Sequence, residues 1–419
     1  MNSQCCFGLI LAFLTTLAAR GDEIAVNDSE GALGATRSPV TVTVTLSQSE
    51  RRAAVEGRLQ LRELRSAAAS VEAVVPVQLF ATVETSSATS ICWLMPSGPR
   101  GKRIFMIEEA HQATHPRVTA KQNAATGQFD LADDGKLVLR YNYAAIEPGE
   151  ILKQVAPANR IYARARSDYI HPLYGLDGEE LTRDWSIDHP HHRGIYWAWP
   201  EVDWRGRRGD LHALQHVFAK PIGKCSAVSG PVFAQLEAEN VWQWENGESL
   251  VQERAVIRAY RATEDGRFVD LEFQFAAVHD TVLLARRETD KYGGLNLRLA
   301  SVKDQEIIFH TDQTNVAPRL AWAELDGKFG NAQSPSGLVV LQHSGNPDYP
   351  GYWVKFPELN WFQPTFPASG TRYPLKPGEP LVLRYRLWLH RDSRASEESC
   401  AAHGRAYHAP LAPNYLPVR

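Results

Sequence analysis

VWQWENGESLVQERAVIRAYRATEDGRFVDLEFQFAAV, residues Val241 to Val278, decides how this chain folds. VWQW and SLVQERAVIRAYR flank Asn246-Gly247, a dipeptide that tight hairpins favour because both residues tolerate a left-handed backbone. Asp265-Gly266 then turns the chain into FVDLEFQFAAV. There Leu271, Phe273 and Phe275 fall on one face and Glu272 and Gln274 on the other, the two-residue period of a strand with one buried side. The same pattern recurs outward from this core, in LVLRYRLWLH (Leu381 to His390), in FDLADDGKLVLRYNY across Asp134-Gly135, and in VTVTVTL (Val40 to Leu46). So many strands joined by hairpins imply sheets packed face to face. The expected fold class is all-β: a large antiparallel β-sandwich with a small N-terminal β-unit.

Helical signals are few. SERRAAVEGRLQLRELRSAAAS (Ser49 to Ser70) supports helix by composition and strand by the alternation in GRLQLREL. SRASEESCAAHGRAYH, ending at His408, reads as helix. No strand–helix alternation and no glycine-rich phosphate loop occurs, which argues against a Rossmann-type nucleotide enzyme. The expected order is a signal peptide over 1–19, a disordered polar leader over 20–39, and the small β-unit over 40–121. The main sandwich follows over 122–391, with QNAATGQ (122–128) as its junction, then a C-terminal helix and tail over 392–419.

The 419 residues are 44% hydrophobic and 22% charged, enough for a real core. A net charge of −3, with no basic half, lacks the footprint of a nucleic-acid binder. Phe7 to Leu17 is an apolar run too short to cross a bilayer, and Ala18-Ala19 offers a small-residue cleavage site. The reading is a secreted or periplasmic protein without an integral span after cleavage. Cys92, Cys225 and Cys400 then remain: at most one bridge, whose partners spacing does not give. Eleven tryptophans and fourteen tyrosines serve equally as core or as platforms for sugar rings.

Chemistry concentrates in RDWSIDHPHHRGIYWAW, Arg183 to Trp199. His189, His191 and His192 fall within four positions, and crowded imidazoles each need partners once they leave water. Two uses remain open. In metal-free proton transfer, His191 and His192 act as acid and base, Asp188 fixes a tautomer, and Arg193 clamps an anion or hydroxyl, with Glu253 a candidate carboxylate. In a metal site, one or two of these histidines join remote ligands such as His216, Glu253, His310 or His343. On an extended stretch His189 and His191 share a face and His192 points away, so the loop alone cannot supply all three ligands. Arg166 and His171 are candidates for the same cleft, and Trp197 and Trp199 for ring platforms. His343 opens a long aromatic loop of the kind that carries binding sites. HALQH (His212 to His216) lacks the glutamate of a zincin motif, and no GxSxG elbow occurs.

YIHPLYGLDGEELTRD followed by DHPHHRGIYWAW resembles the family labelled "methane oxygenase PmoA", as do KYGGLNLRLA and the GNPDYPGYW segment later in the chain. VVPVQLF and CWLMPSGPRGKRIF resemble the N-terminal β-unit of its secreted bacterial members. The block maps onto Asp188, His189, Pro190, His191, His192, Arg193 and Gly194, and this chain carries Trp185 and Ile187 where that family is often richer in proline. The resemblance implies a secreted β-rich protein of the kind met near sugar-related dehydrogenases, not a membrane oxygenase subunit. The expected architecture is a supersandwich of the galactose-mutarotase-like type. The expected activity is histidine acid/base chemistry on a carbohydrate or modified sugar with no cofactor. The alternatives are a divalent-metal oxygenase or hydrolase with histidine ligands, and a non-catalytic glycan binder.

Overall fold

The computed structural model describes residues 23–64, 73–80, 88–310, 320–391 and 394–408, so the expected signal peptide and the tail beyond His408 lie outside the described residues. The chain divides into two compact units, 1–113 with 409–419, and 114–408.

In the first unit Glu23–Asp28, Gly101–Glu109, Leu59–Leu64 and Val74–Pro76 form one sheet, and Pro39–Thr45, Ala88–Leu94 and Gln78–Leu79 form another. The leader expected to be disordered over 20–39 is corrected here. EIAVND buries Ile24 and Val26 on alternate positions and pairs with Gly101 to Met106. The ambiguous stretch after Ser49 contains both answers. Gln48–Val55 is a helix closed by a Ser47–Glu50 capping box, and Leu59–Leu64 is a strand.

The second unit is an antiparallel β-sandwich. One eight-stranded sheet, which we call the site sheet, runs in the order Trp353–Phe356, Trp361–Pro364, Gly294–Arg298, Ile195–Ala198, Tyr169–Leu173, Lys136–Asn142, Gln128–Asp133, Val118–Asn123. The expected junction at 122–128 is instead the hairpin between its last two strands, since Gly127 supplies a left-handed residue there.

The facing sheet runs Val217–Val228, Phe233–Trp244, Ser249–Tyr260, Arg267–Ala277, Leu381–Arg391, Ser336–Gln342, Trp322–Phe329, Val302–His310. Leu271, Phe273 and Phe275 point into the sandwich as the alternation requires, each worth about 2 kcal/mol of burial. The helix Glu397–His408 covers this sheet's other face. His403 stacks on Trp388 and Tyr407 lies under the Arg386 guanidinium, which is itself paired with Asp270.

Between the sheets sits a pair of buried carboxyls. Asn240 Nδ2 donates both to Asp168 Oδ1 (2.9 Å) and to Glu253 Oε1 (3.4 Å). Glu253 also accepts the indole N–H groups of Trp197 and Trp242, and Asp168 accepts the Tyr141 hydroxyl. Burial and then the facing Asp168 push Glu253 well up, and burial raises Asp168 too, so the pair holds a proton at neutral pH. A carboxyl whose folded pKa is raised binds more protons folded than unfolded, so its contribution is full in acid and is lost as pH rises from the ordinary carboxylate range. Asp168 sits at φ 65, which asparagine tolerates. Asp168→Asn is therefore expected to unfold at higher temperature than wild type at neutral and alkaline pH and to converge with it in acid. Parallel melting curves across pH check this; an equal offset at every pH contradicts a shared proton.

Candidate functional site

Strand parity places the site. Trp197 stacks on Phe273 of the facing sheet at 3.9 Å, so its neighbour Tyr196 points to the opposite face of the site sheet. Over that face lies the loop Arg183 to Gly194, pinned at both ends to one neighbouring residue. Arg183 N donates to Arg298 O and Arg298 N to Gly194 O. Gly194 adopts φ 55, and a Cβ there would stand 2.2 Å from Ile170 O, so the block ends in glycine for want of space.

Inside the loop the extended geometry expected from sequence does not occur. His192 N donates to His189 O at 2.9 Å, a turn with Pro190 at its second position, where proline's fixed φ fits. The turn brings His191 and His192 together at 4.5 Å between ring centroids. A third histidine comes from elsewhere. Asp210 and Gln215 exchange two backbone hydrogen bonds and Asp210 Oδ1 caps Ala213 N, a tight turn that presents His212. One ring nitrogen from each of His191, His192 and His212 lies within 4.8 Å of the others.

All three Nδ1 atoms are buried and without a hydrogen-bond partner. His212 Nε2 is held by the Tyr196 hydroxyl at 3.0 Å, which leaves Nδ1 as its uncommitted nitrogen. Burial, with the positive charge of Arg166 and other neighbours, pushes His191 down to about 3, and burial drives His192 and His212 well below the usual histidine range. The trio is neutral at physiological pH. Neutral imidazoles with free lone pairs are ligands for zinc, copper, iron or nickel, and three of them leave a coordination position open. As an acid–base pair, His191 and His192 are poorly matched to neutral pH.

Aromatic rings wall the cluster. Trp361 lies 5.0 Å from His192, Tyr292 4.9 Å from His212 and Tyr162 5.4 Å from His191. At the rim, half-exposed His189 stacks on His192 and its Nδ1 meets Asp188 Oδ2 at 3.0 Å. Asp188 thus orients His189, where sequence expected it to serve His191 and His192. Arg298 holds Asp188 from below, with Nη2 3.2 Å from each oxygen. Arg166 belongs to the site, stacked 4.5 Å over Tyr196 while Nη2 donates to the Leu211 and His212 carbonyls.

Several expected site residues lie elsewhere. Arg193 is fully buried, its guanidinium against Trp185 and spent on Asp184 and the Tyr169 hydroxyl, so it has nothing left to clamp a substrate. Trp197 and Trp199 face the core, their N–H groups donated to Glu253 and to Phe366 O, so neither is a platform. Glu253 is the interior carboxyl described above. His171 bonds Thr182 Oγ1 at the half-buried edge of its own strand, without contact to the trio. His343 packs on Tyr407 and His408 of the C-terminal helix. The remote ligands considered are committed too: His310 to Glu324 at 2.8 Å and His216 to Glu245 at 3.0 Å.

Tyr196, Tyr292, Arg298 and Trp361 are not among the residues expected from sequence, and His212 enters there only in a rejected zincin spacing. Trp361 nonetheless falls inside the aromatic loop headed by His343, and Tyr292 and Arg298 within the KYGGLNLRLA stretch of the resemblance.

A profile described as a family of unknown function, DUF6807, matches residues 128–404. A search of curated proteins returned no match. Among solved structures, a putative kojibiose phosphorylase from the human microbiome is similar at 9% identity and a TM-score of 0.29, over 70% of this chain and 36% of that one. This chain therefore spans about a third of that protein's length.

Proposed function

The chain belongs to the DUF6807 family of unknown function, and we propose that it is a metal-dependent enzyme acting on a carbohydrate. The single observation that carries this is the convergence of His191, His192 and His212 with three buried, unpartnered Nδ1 atoms. A divalent transition metal bound there supplies Lewis acidity and an acidified water. The protein's own groups divide the remaining work. The Asp188–His189 pair at the rim is a proton-transfer group whose tautomer the carboxylate fixes, so the acid/base role expected of the motif passes to its exposed histidine. Half-buried Tyr292, beside His212, offers a flat face to a sugar ring, and the burial of the three Nδ1 atoms keeps bulk water from them.

The hydrophobic leader supports action outside the cytoplasm; among the described residues no helix is long and apolar enough to cross a membrane. Titration of chelator-stripped protein with Co(II) tests the reading. Saturable visible d–d bands at one equivalent are expected, and featureless spectra at excess Co(II) contradict it.

A further inference from the structure

The face that carries the histidines also carries a pattern of charge. Register sets Tyr196 opposite Asn296 and Arg298 opposite Trp361, so these four side chains share one face. Three guanidinium groups, on Arg166, Arg287 and Arg298, lie near enough for their charge to be felt at His191. Two carboxylates answer them: Asp188 pairs with Arg298, and Asp210 with Arg287. Arg166 is 5% exposed and pairs with no carboxylate among the described residues, bonding only the Leu211 and His212 carbonyls. Its Nε is buried without an acceptor, as is Nη1 of Arg298, also 5% exposed. A buried guanidinium donor left unmet is costly, and an oxyanion is the acceptor that fits it best. A bound divalent metal adds positive charge to this excess.

We infer that the substrate is a sugar bearing an oxyanion, carboxylate or phosphate, which the unmet donor of Arg298 receives. Cross-strand pairing sets Arg298 beside Trp361, whose ring lies 5.0 Å from His192, so an oxyanion on Arg298 sits next to the histidine trio. Arg166, behind Tyr196 and the His212 carbonyl, reinforces the field without needing direct contact. The inference rests on the sugar reading above but not on the metal.

Calorimetry on the full chain tests it, with glucuronate, glucose 6-phosphate and glucose as probes. At least one acid is expected to bind about ten-fold or more tightly than glucose. That preference should shrink when ionic strength rises from roughly 0.05 to 0.5 M. Which acid wins distinguishes carboxylate from phosphate. Arg298→Met is expected to abolish the preference; because Arg298 also props Asp188, the wild-type comparison stands as the deciding measurement. Neither acid exceeding glucose overturns the inference, as does a preference indifferent to salt. Acid preference in chelated protein supports it even if no metal binds. Metal binding without acid preference sinks it and leaves the metal reading standing.

Discussion

His212→Ala is expected to strip the metal site while leaving the sandwich folded. Apparent binding free energies of about 10–16 kcal/mol for a zinc site spread over three or four ligands give roughly 3 kcal/mol or more for each. Losing one ligand should therefore weaken Co(II) or Zn(II) by more than about 100-fold. Replacing outer-shell partners costs about 10–100-fold, so the size of the loss separates a ligand from a bystander. His189→Ala is the matched control. It lies in the motif, but its ring is half exposed and bonded to Asp188, so metal affinity should change by less than about ten-fold. Competition against a chromogenic chelator reads both. Equal losses in the two variants would show that the cluster does not bind as the geometry requires.

Arg193→Met is expected to be the most destabilising change in the motif although it touches no substrate. The guanidinium is fully buried, donates to both oxygens of Asp184 and to the Tyr169 hydroxyl, and lies 3.5 Å over Trp185. Removing it leaves a mostly buried carboxylate uncompensated, a loss of about 3–5 kcal/mol. Spread over a unit of this size, that is a fall in Tm of roughly 5–8 °C. Because Asp184 and Arg193 flank the histidine turn, the variant should also bind metal more weakly than wild type even where it is folded. Denaturant unfolding checks the first part; a cost under about 1 kcal/mol would contradict the structural role and return Arg193 to the anion or hydroxyl clamp expected from sequence.

The architecture was legible because strand alternation is local. Phe273 and Phe275 announce their face within five residues, and the hairpin at Asn246-Gly247 follows from backbone sterics alone. The histidine motif was legible as a place for the same reason. Its chemistry was not, because it depends on turns and partners that sequence distance hides. The parity of an extended chain, expected for His189, His191 and His192, does not hold where Pro190 sits in a turn. The His189–His192 turn cancels that parity. The aromatic run shows the converse error: Trp197 and Trp199 are the platforms expected from sequence, whereas the site takes Tyr196, the residue of opposite parity. His212 stands twenty residues from the block in a segment whose helical spacing pointed to the wrong motif, and only the Asp210–Gln215 turn brings it home. The leader missed its strand because two apolar residues, Ile24 and Val26, are too short a signal amid glycine, alanine and serine.

The central claim is that His191, His192 and His212 together hold a metal. Elemental analysis of purified full-length chain, beside His212→Ala prepared identically, tests it most directly. The account expects close to one equivalent of zinc, copper, iron or nickel in wild type and a trace in the variant. No transition metal in wild type, even after refilling with excess Zn(II) and desalting, or equal metal in both proteins, would contradict it.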